Sequence, residues 1–363
     1  MTEDFTTRLR VQLNEAALRE ERRGSLGRRL ASVRALPPAT AAGAFAASIA
    51  AGLVLVFGVW LAGALRTEPA APPGPRVVAN VAIGDALGRG ATAGFGALWL
   101  SDPDRGEILR VDPRTRRVKA RIPVGSEASL DVGEGSVWAV AIPPGSFGSG
   151  VLTRIDPRTN RVVARIPLRR GGGDLQPGGP VLVGPRVWVI GPNGGVAVDP
   201  ARNRVVADIG VGSGGFQIVD ALFRDGELWV TTSDRATTRF DARTGRRLGR
   251  LRWRPDGQLI PYADKLIEVG ARSVALVEPA SGRPLWRWDL GVELHLAELA
   301  RGRLFVEGAP PGGGRESVWQ IEPHTGRTIG SVAVPEFTVL AMAAVGDEVW
   351  LPTAGGRAVV VAP

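Results

Sequence analysis

Short apolar segments alternate with polar turns along the chain from residue 76 to the C-terminus. One recurrent segment usually carries an aromatic residue at its centre and follows a glycine or Asp-Gly turn, as in GEGSVWAV and RDGELWVT. Short apolar and β-branched runs bounded by such turns predict β-strands. One large apolar residue per strand predicts packing between neighbouring units. The seven central residues are Trp99, Trp138, Trp188, Trp229, Ile267, Phe305 and Trp350.

A second series consists of hairpins. The segment RVDPRTRRVKARIPV, residues 110–124, recurs almost unchanged as RIDPRTNRVVARIPL, residues 154–168. The aspartate side chain can bond the backbone two residues later and the proline presets φ, so each segment predicts a tight turn between two strands. Four weaker copies follow. The six turns begin at Asp112, Asp156, Asp199, Asp241, Glu278 and Glu322.

Each hairpin needs a left-handed residue where the chain enters its second strand, a conformation that Asn and Gly adopt most readily. Five of the six copies have Asn or Gly there, and Arg116 is the exception. The six residues are Arg116, Asn160, Asn203, Gly245, Gly282 and Gly326.

The chain contains seven copies of the apolar strand but six copies of the hairpin, and a closed ring of units explains this difference in number. The chain ends AVVVAP, so the last unit stops where the others have their turn, and RVVANVAI, residues 76–83, supplies the missing outer strand. Closure removes the free sheet edges of an open array. The 288 residues from 76 to 363 divide into seven units of about 41, the size of a four-stranded blade. The sequence predicts an all-β, seven-bladed β-propeller whose N-terminal strand closes the last blade.

These residues also carry a family resemblance. The segment DPRTNRVVARIPL, with the preceding GEGSVWAV, resembles the YVTN-type repeat of bacterial extracytoplasmic propellers and of virginiamycin B lyase-like proteins. The resemblance covers residues 76–363 and implies the fold more than any activity, because propellers host many unrelated functions. One blade, ALVEPASGRPLWRWDLG at residues 275–291, resembles the repeat of pyrroloquinoline quinone-type propellers instead.

The N-terminal part predicts the location of the protein. Residues 41–65 form an uncharged apolar segment long enough to cross a bilayer as one helix. Arginine is abundant in residues 1–40 and sparse just after the segment, which places the N-terminus in the cytoplasm and the propeller outside. A cleaved signal peptide is the alternative, since Ala-Gly-Ala at residues 62–64 fits a cleavage site, but the apolar run is long for one. We expect a single-pass membrane protein.

Two short regions flank the apolar segment. Residues 66–75 contain four prolines and predict a semi-rigid linker. Residues 1–40 are basic and contain a predicted amphipathic helix at about residues 3–23. This helix is expected either to lie on anionic lipid or to bind a cytoplasmic partner.

Composition limits the chemistry. The chain has no cysteine and only two histidines, His295 and His324, so we predict no metal site and no cofactor. Its net charge is +9, but the arginines alternate along predicted outer strands rather than clustering among aromatics, so no nucleic acid is expected as a partner. Within residues 76–363, four tryptophans lie outside the strand series and are candidates for an exposed binding aromatic. They are Trp253, Trp286, Trp288 and Trp319.

Candidate ligand-facing residues lie in the connections between blades, which converge on one end of a propeller channel. They are Asp85, Glu127, Asp174, Gln217, Asp256, Glu293, His295 and Glu336. Together they would form an acidic ring for a cation or a basic ligand, although such residues also serve simply to solvate turns. No catalytic residue is assigned, because the carboxylates are spread singly over different blades.

Two functions remain open from the sequence. The first is a non-enzymatic binding or scaffold propeller with an unknown protein or cell-envelope ligand, held at the membrane by its lipid-embedded anchor. The second is a divalent-metal-assisted lyase or hydrolase like the virginiamycin B lyases. In that case His295 and Glu293, two residues apart on one strand, would do the acid–base work.

Overall fold

The computed structural model describes residues 74–363 except 89, 143–149, 171–172, 176–178, 193, 212–216, 313, 336–337 and 339–340. The predicted cytoplasmic segment, the apolar segment and residues 66–73 of the linker lie outside these residues. None of the described residues belongs to a helix with the length and apolar character needed to span a membrane. Residues 72–363 form one compact unit.

The described residues build seven four-stranded antiparallel sheets, the blades. The first strand, β1 (Arg76–Ala82), belongs to the last blade. Blade 1 contains β2 (Ala91–Gly94), β3 (Ala97–Asp102), β4 (Glu107–Asp112) and β5 (Arg117–Pro123), and blade 2 contains β6 (Ser126–Gly133), β7 (Ser136–Ile142), β8 (Val151–Asp156) and β9 (Arg161–Pro167). A short hairpin follows, made of β10 (Arg169–Arg170) and β11 (Gly173–Asp174). Blade 3 contains β12 (Val181–Val183), β13 (Val187–Gly191), β14 (Gly194–Asp199) and β15 (Arg204–Gly210).

The remaining blades repeat the same order of strands. Blade 4 contains β16 (Ile218–Arg224), β17 (Glu227–Thr232), β18 (Thr237–Asp241) and β19 (Arg247–Arg250), and blade 5 contains β20 (Gly257–Tyr262), β21 (Lys265–Gly270), β22 (Ser273–Val277) and β23 (Pro284–Asp289). Blade 6 contains β24 (Glu293–Ala300), β25 (Arg303–Ala309), β26 (Ser317–Ile321) and β27 (Thr328–Ala333). Blade 7 contains β28 (Ala343–Val345), β29 (Glu348–Pro352) and β30 (Arg357–Ala362) together with β1. The seven-bladed all-β prediction is confirmed.

Burial follows the position of a strand within its blade. The second strands are buried on both faces, as in β3 and β13, where every residue is buried. Outer strands such as β5 and β9 alternate exposed and partly buried residues, so only one face of each packs on a neighbour. This difference explains why the apolar series marks the second strand of each blade.

The aromatic residues of the second strands pack between blades, as predicted. Trp99 of blade 1 lies in a cluster with Leu130 and Val137 of blade 2. Trp350 of blade 7 packs with Leu98 and Leu109 of blade 1. Trp99 and Trp350 are fully buried, and truncating a buried Trp to Ala typically costs about 3–5 kcal/mol. The core is therefore a series of interfaces between successive blades.

The ring closes through β1. Its residues pair antiparallel with β30, from Arg76 opposite Ala362 to Ala82 opposite Arg357. The guanidinium of Arg357 adds two bonds across this pair, 2.9 Å to the Asn80 side chain and 2.8 Å to its carbonyl. The first strands of blades 7 and 1, β28 and β2, are neighbours in turn. N-terminal closure of the last blade is thus confirmed.

The hairpin turns also have the predicted form. The Asp156 carbonyl accepts the amide of Asn160 at 2.8 Å, and its carboxylate accepts the amide of Arg158 at the same distance. All six predicted positions have left-handed backbone, from Asn203 at φ 50° to Gly326 at 74°. Arg116 shares this conformation at φ 58° despite its side chain, which costs an ordinary residue about 1 kcal/mol.

Candidate functional site

Most of the candidate residues that the structure describes lie on one face of the propeller. In an antiparallel blade, the link from the fourth strand to the next blade emerges on the same side as the turn between the second and third strands. We call this side the connection face, represented by residues 103–106 and 123–125. Asp85, Gln217 and Asp256 lie in its links, and Glu293 and His295 lie at the start of β24. Glu127 and Asp174 belong to β6 and β11, and Glu336 lies outside the described residues.

Two aspartates of this set, Asp85 and Asp256, are each paired with a nearby arginine. Asp85 pairs with Arg105 at 2.6 Å and Asp256 pairs with Arg235 at 2.8 Å, all four side chains being more than a third exposed. Exposed ion pairs of this kind contribute at most about 1 kcal/mol. Each aspartate is thus neutralised by an arginine of a nearby turn on the same face. A ligand-binding role for the acidic set stays a prediction.

Two carboxylates that the sequence did not single out cap the inner edge of the ring. Asp131 on β6 accepts the amide of Val183, on the first strand of the next blade, at 2.8 Å. Asp220 on β16 likewise accepts the amide of Leu259, on the first strand of the following blade, at 2.9 Å. First strands have no partner strand on their inner side, so their N–H groups need other acceptors. Burial raises the pKa of Asp131, and raises that of Asp220 to about 6.

Glu298 on β24 lies at the same register as Asp131, each opposite the central residue of its second strand. Burial raises the pKa of Glu298 to about 7, and the negative charge of Asp131 contributes in the same direction. The sequence signal for these groups is a single acid within an otherwise apolar first strand, as in SLDVG, IVDAL and LAELA. Asp131 and Asp220 thus stabilise contacts between successive blades.

His295 meets two other carboxylates that sequence analysis missed. The strand β24 has a bulge between Leu294 and Leu296, so His295 is the extra residue there. A bulge redirects the side chain it carries, and the His295 Nδ1 lies 3.4 Å from Oε2 of Glu307 on β25. The side chain of Glu316 completes a group whose ligand atoms all lie within 4.8 Å of one another. Burial and the charge of Glu316 raise the pKa of Glu307 to about 7, against the opposite effect of His295.

The connection face also contains a cavity of about 570 Å³ between blades 1 and 2. Residues 103–106 and 123–125 form its walls together with Val151, Arg165 and Pro167. Three prolines and two glycines are among the lining residues. The charged lining residues are Arg105, Arg165 and the acidic Asp104.

The tryptophans outside the strand series have two kinds of environment. Trp253 and Trp286 donate their indole N–H to the carbonyls of Pro279 and Pro323 in the hairpin turn of the following blade. They therefore support contacts between blades. Trp288 is 47% exposed on the outer strand β23.

Comparison with known proteins agrees with the fold. Residues 238–363 match a family model described as outer membrane protein assembly factor BamB. This stretch contains the blade at residues 275–291 and covers about a third of the chain. A crystal structure of BamB from Moraxella catarrhalis has a TM-score of 0.50 and 16% identity, over 77% of this chain and 86% of that one.

A computationally designed protein, Ika8, is similar at a TM-score of 0.55 and 10% identity, over 79% of this chain and all of its own. No curated protein matches. At these identities the structural similarities establish the propeller fold alone.

Proposed function

We propose that this protein is a binding or scaffold propeller that engages a protein partner through its connection face. The observation that carries the proposal is the cavity between blades 1 and 2, which opens on a face built from turns rather than from paired strands. Loops on a rigid scaffold are where binding residues concentrate. The match of residues 238–363 to an assembly factor adds support, since such a description implies protein partners.

The chemistry of the cavity indicates the kind of segment it accepts. Arg165 offers a guanidinium group beside a surface rich in Pro and Gly, whereas Arg105 is already paired with Asp85. Arg165 is exposed, and among the described residues its side chain has one long contact, 3.4 Å, to the Pro123 carbonyl. An extended segment with an acidic side chain would pair with Arg165, because guanidinium binds carboxylate in a bidentate manner. The partner is therefore an acidic, extended stretch of protein.

Membrane attachment is part of the proposal. The apolar segment at residues 41–65 would act as an uncleaved anchor, with residues 1–40 in the cytoplasm and the propeller outside. Labelling of single cysteines in intact cells by a membrane-impermeant reagent tests this. Cysteine at Ser146 should react and cysteine at Thr7 should not. The reverse result would contradict the orientation, and a soluble chain beginning near Leu65 would favour a cleaved signal.

Site-specific photo-crosslinking tests partner binding. A photoreactive residue at position 105 or 165 of the full chain should form an adduct with one defined protein in intact cells. A matched probe at Arg114, in the exposed turn on the opposite face, serves as the control. Charge reversal, Arg165→Glu, should abolish the adduct formed from position 105. Equal adducts from both faces, or none from the connection face, would overturn the proposal.

A metal-assisted lyase or hydrolase is the second candidate, and the position of His295 beside Glu307 favours it. An imidazole and a carboxylate in contact can transfer protons to and from a substrate. The purified full chain would then open a cyclic ester in the presence of Mn²⁺ or Mg²⁺. The activity should disappear when His295→Ala and Glu307→Gln are combined. Absence of turnover by the wild type leaves the binding function as the better account.

A further inference from the structure

Glu307 and Glu316 are buried acids without a matching positive charge. Their side chains are almost inaccessible to solvent, at 0% and 3% exposure. Oε1 of Glu307 and Oε1 of Glu316 lack a hydrogen-bond partner, and Oε2 of Glu307 has only the His295 Nδ1 nearby at 3.4 Å, a distance too long for a good hydrogen bond. No described Lys or Arg forms an ion pair with either residue. Burying an unpaired carboxylate is costly, so native proteins normally pair such groups or place a cation beside them.

In the neighbouring blade 5, the charge of a buried glutamate is compensated by groups of the protein itself. Glu268 on β21 is also buried, at 3% exposure. Its Oε2 binds the guanidinium of Arg287, and its Oε1 accepts the amide of Asp256 at 2.8 Å. Blade 6 has no such guanidinium beside Glu307, whose neighbour on β26 is Val318, itself paired with Val332. The protein can satisfy a buried glutamate internally, and in blade 6 it does not.

The three groups are held in place from different parts of the chain. Glu307 is fixed in the centre of the sheet by pairing with Leu296 and Val318. Glu316 precedes β26, and its Oε2 accepts the amide of Thr338 at 2.8 Å, which leaves Oε1 for another partner. The side chain of His295 is 28% exposed, so the group opens to solvent on one side. An ion could enter there, and water could complete its coordination.

We propose that His295, Glu307 and Glu316 bind one divalent transition-metal ion on the connection face of blade 6. One imidazole nitrogen with two carboxylates suits ions such as Zn²⁺ and Mn²⁺, whereas Mg²⁺ and Ca²⁺ prefer oxygen ligands alone. Ligand atoms about 2.1 Å from a tetrahedral ion lie about 3.4 Å apart, so side-chain shifts on the order of 1 Å would bring together a group that spans up to 4.8 Å. A divalent charge would offset both carboxylates.

Such an ion would also join two blades. Thr338, which holds Glu316, forms a bridge with Thr353 of the last blade. The ion would therefore tie the strands of blade 6 to the segment that enters blade 7. The metal site differs from the site of the proposed protein partner, but it shares His295 and Glu307 with the metal-assisted lyase or hydrolase considered above.

The alternative is a proton shared between Glu307 and Glu316. Burial and the nearby charge of Glu316 raise the pKa of Glu307 to about 7, so a shared proton is chemically reasonable near neutral pH. The two cases differ in one respect. A shared proton requires no metal, whereas a metal site binds one ion and releases that proton.

Calorimetric titration distinguishes them. The full chain, purified without a histidine tag and stripped with a chelator, is titrated with Zn²⁺ and with Mn²⁺ near pH 7.5. We expect one ion per chain, a dissociation constant in the micromolar range or below, and a melting temperature that rises with metal concentration. Mg²⁺ should bind at least tenfold more weakly than Zn²⁺.

Variants locate the ion. Glu307→Gln keeps the shape of the side chain, and His295→Ala removes an exposed group, so both should fold and bind at least tenfold more weakly. Matched controls are His324→Ala, the exposed histidine of the last hairpin turn, and Glu134→Gln, an exposed acid on the opposite face. Both controls should bind as the wild type does. Failure of the wild type to bind Zn²⁺ or Mn²⁺ below 1 mM, or equal binding by Glu307→Gln, would overturn the proposal.

Discussion

The guanidinium of Arg154 in blade 2 reaches the hairpin turn of blade 3, where its Nη1 lies 3.0 Å from Oδ1 of Asn203. The same nitrogen donates to the Pro200 carbonyl at 2.6 Å, and the group lies 5.0 Å from the ring centre of Trp138. Asn203 therefore has two roles, since it adopts the left-handed turn and accepts a bond from the preceding blade. Arg110 makes the same pair of bonds with Pro157 and Asn160 one blade earlier.

The first prediction concerns this contact. Arg154→Met should keep most of the packing on Trp138 but lose the bonds to Asn203 and Pro200. Charge-assisted bonds and cation–π contacts of this kind should make the loss about 2–3 kcal/mol in the free energy of unfolding. Denaturant unfolding of the full chain measures it. Arg158→Met, which alters a side chain 90% exposed in the neighbouring turn, should change stability by less than about 0.5 kcal/mol. Equal effects would show that the contact is unimportant.

Later turns have glycine at the left-handed position, and there the contact comes from tryptophan. A Cβ added at Gly326 would lie 2.6 Å from a ring atom of Trp286 and 2.5 Å from Nε1 of Trp288. At Gly245 it would lie 3.2 Å from Trp188. Glycine is needed at these positions for space as well as for backbone conformation.

The second prediction separates those two requirements. Gly302 and Gly326 have nearly the same φ, 75° and 74°, but a Cβ at Gly302 would meet nothing within 4 Å. Gly302→Ala should therefore cost about 1 kcal/mol for backbone strain alone. Gly326→Ala should cost a further 1–3 kcal/mol, roughly, because the tryptophans must move. Thermal unfolding of both variants provides the comparison, and equal losses would contradict the steric argument.

The third prediction concerns ring closure. Deleting residues 76–82 from the full chain removes β1 and leaves β30 with an unpaired edge. The melting temperature should fall sharply and aggregation should increase. Deleting seven linker residues, 66–72, is the control and should leave the melting temperature of the propeller unchanged. A propeller without β1 that melts like the wild type would show that closure is not needed for stability.

The fourth prediction concerns pH. Folding raises the pKa of Glu298 to about 7 and that of Asp220 to about 6, so between pH 4.5 and 7 the folded protein holds protons that the unfolded chain has released. Stability then decreases as pH rises through this range, because the folded state must give up those protons. Glu298→Gln should flatten the dependence between about pH 4.5 and 7. Urea unfolding at several pH values measures it, and an unchanged slope in the variant would contradict the assignment.

Local chemistry made much of the fold predictable. The turn at Asp156 forms from residues no more than four positions apart, so the Asp-Pro pattern alone indicates it. Strand positions follow from apolar runs, because a second strand buried on both faces tolerates few polar residues. The missing outer strand could be inferred from RVVANVAI, since it matches the pattern of RVVARIPL. Each of these features depends mainly on residues that are close together in the sequence.

Arg116 illustrates a feature that only the closed ring explains. It stands where other hairpins have Asn or Gly, and its side chain reaches blade 7, where it donates to the Val78 carbonyl at 3.3 Å and pairs with Glu348 at 3.2 Å. Blade 7 has no equivalent of Arg154 to donate in the other direction, because Val360 stands opposite Trp350. The odd residue of the series therefore joins the first blade to the last.

The sequence alone determined the strands, the turns, the number of blades and the strand that closes the ring, because each depends on neighbouring residues or on a repeated pattern. The tertiary structure decided which polar groups meet. Asp85 and Asp256 form ion pairs with arginines on the same face. His295 lies beside Glu307 and Glu316, and no sequence motif links these three residues. The environment of a carboxylate depends on the bulge, the neighbouring strand and the next blade, and these contacts exist only once distant segments have packed together.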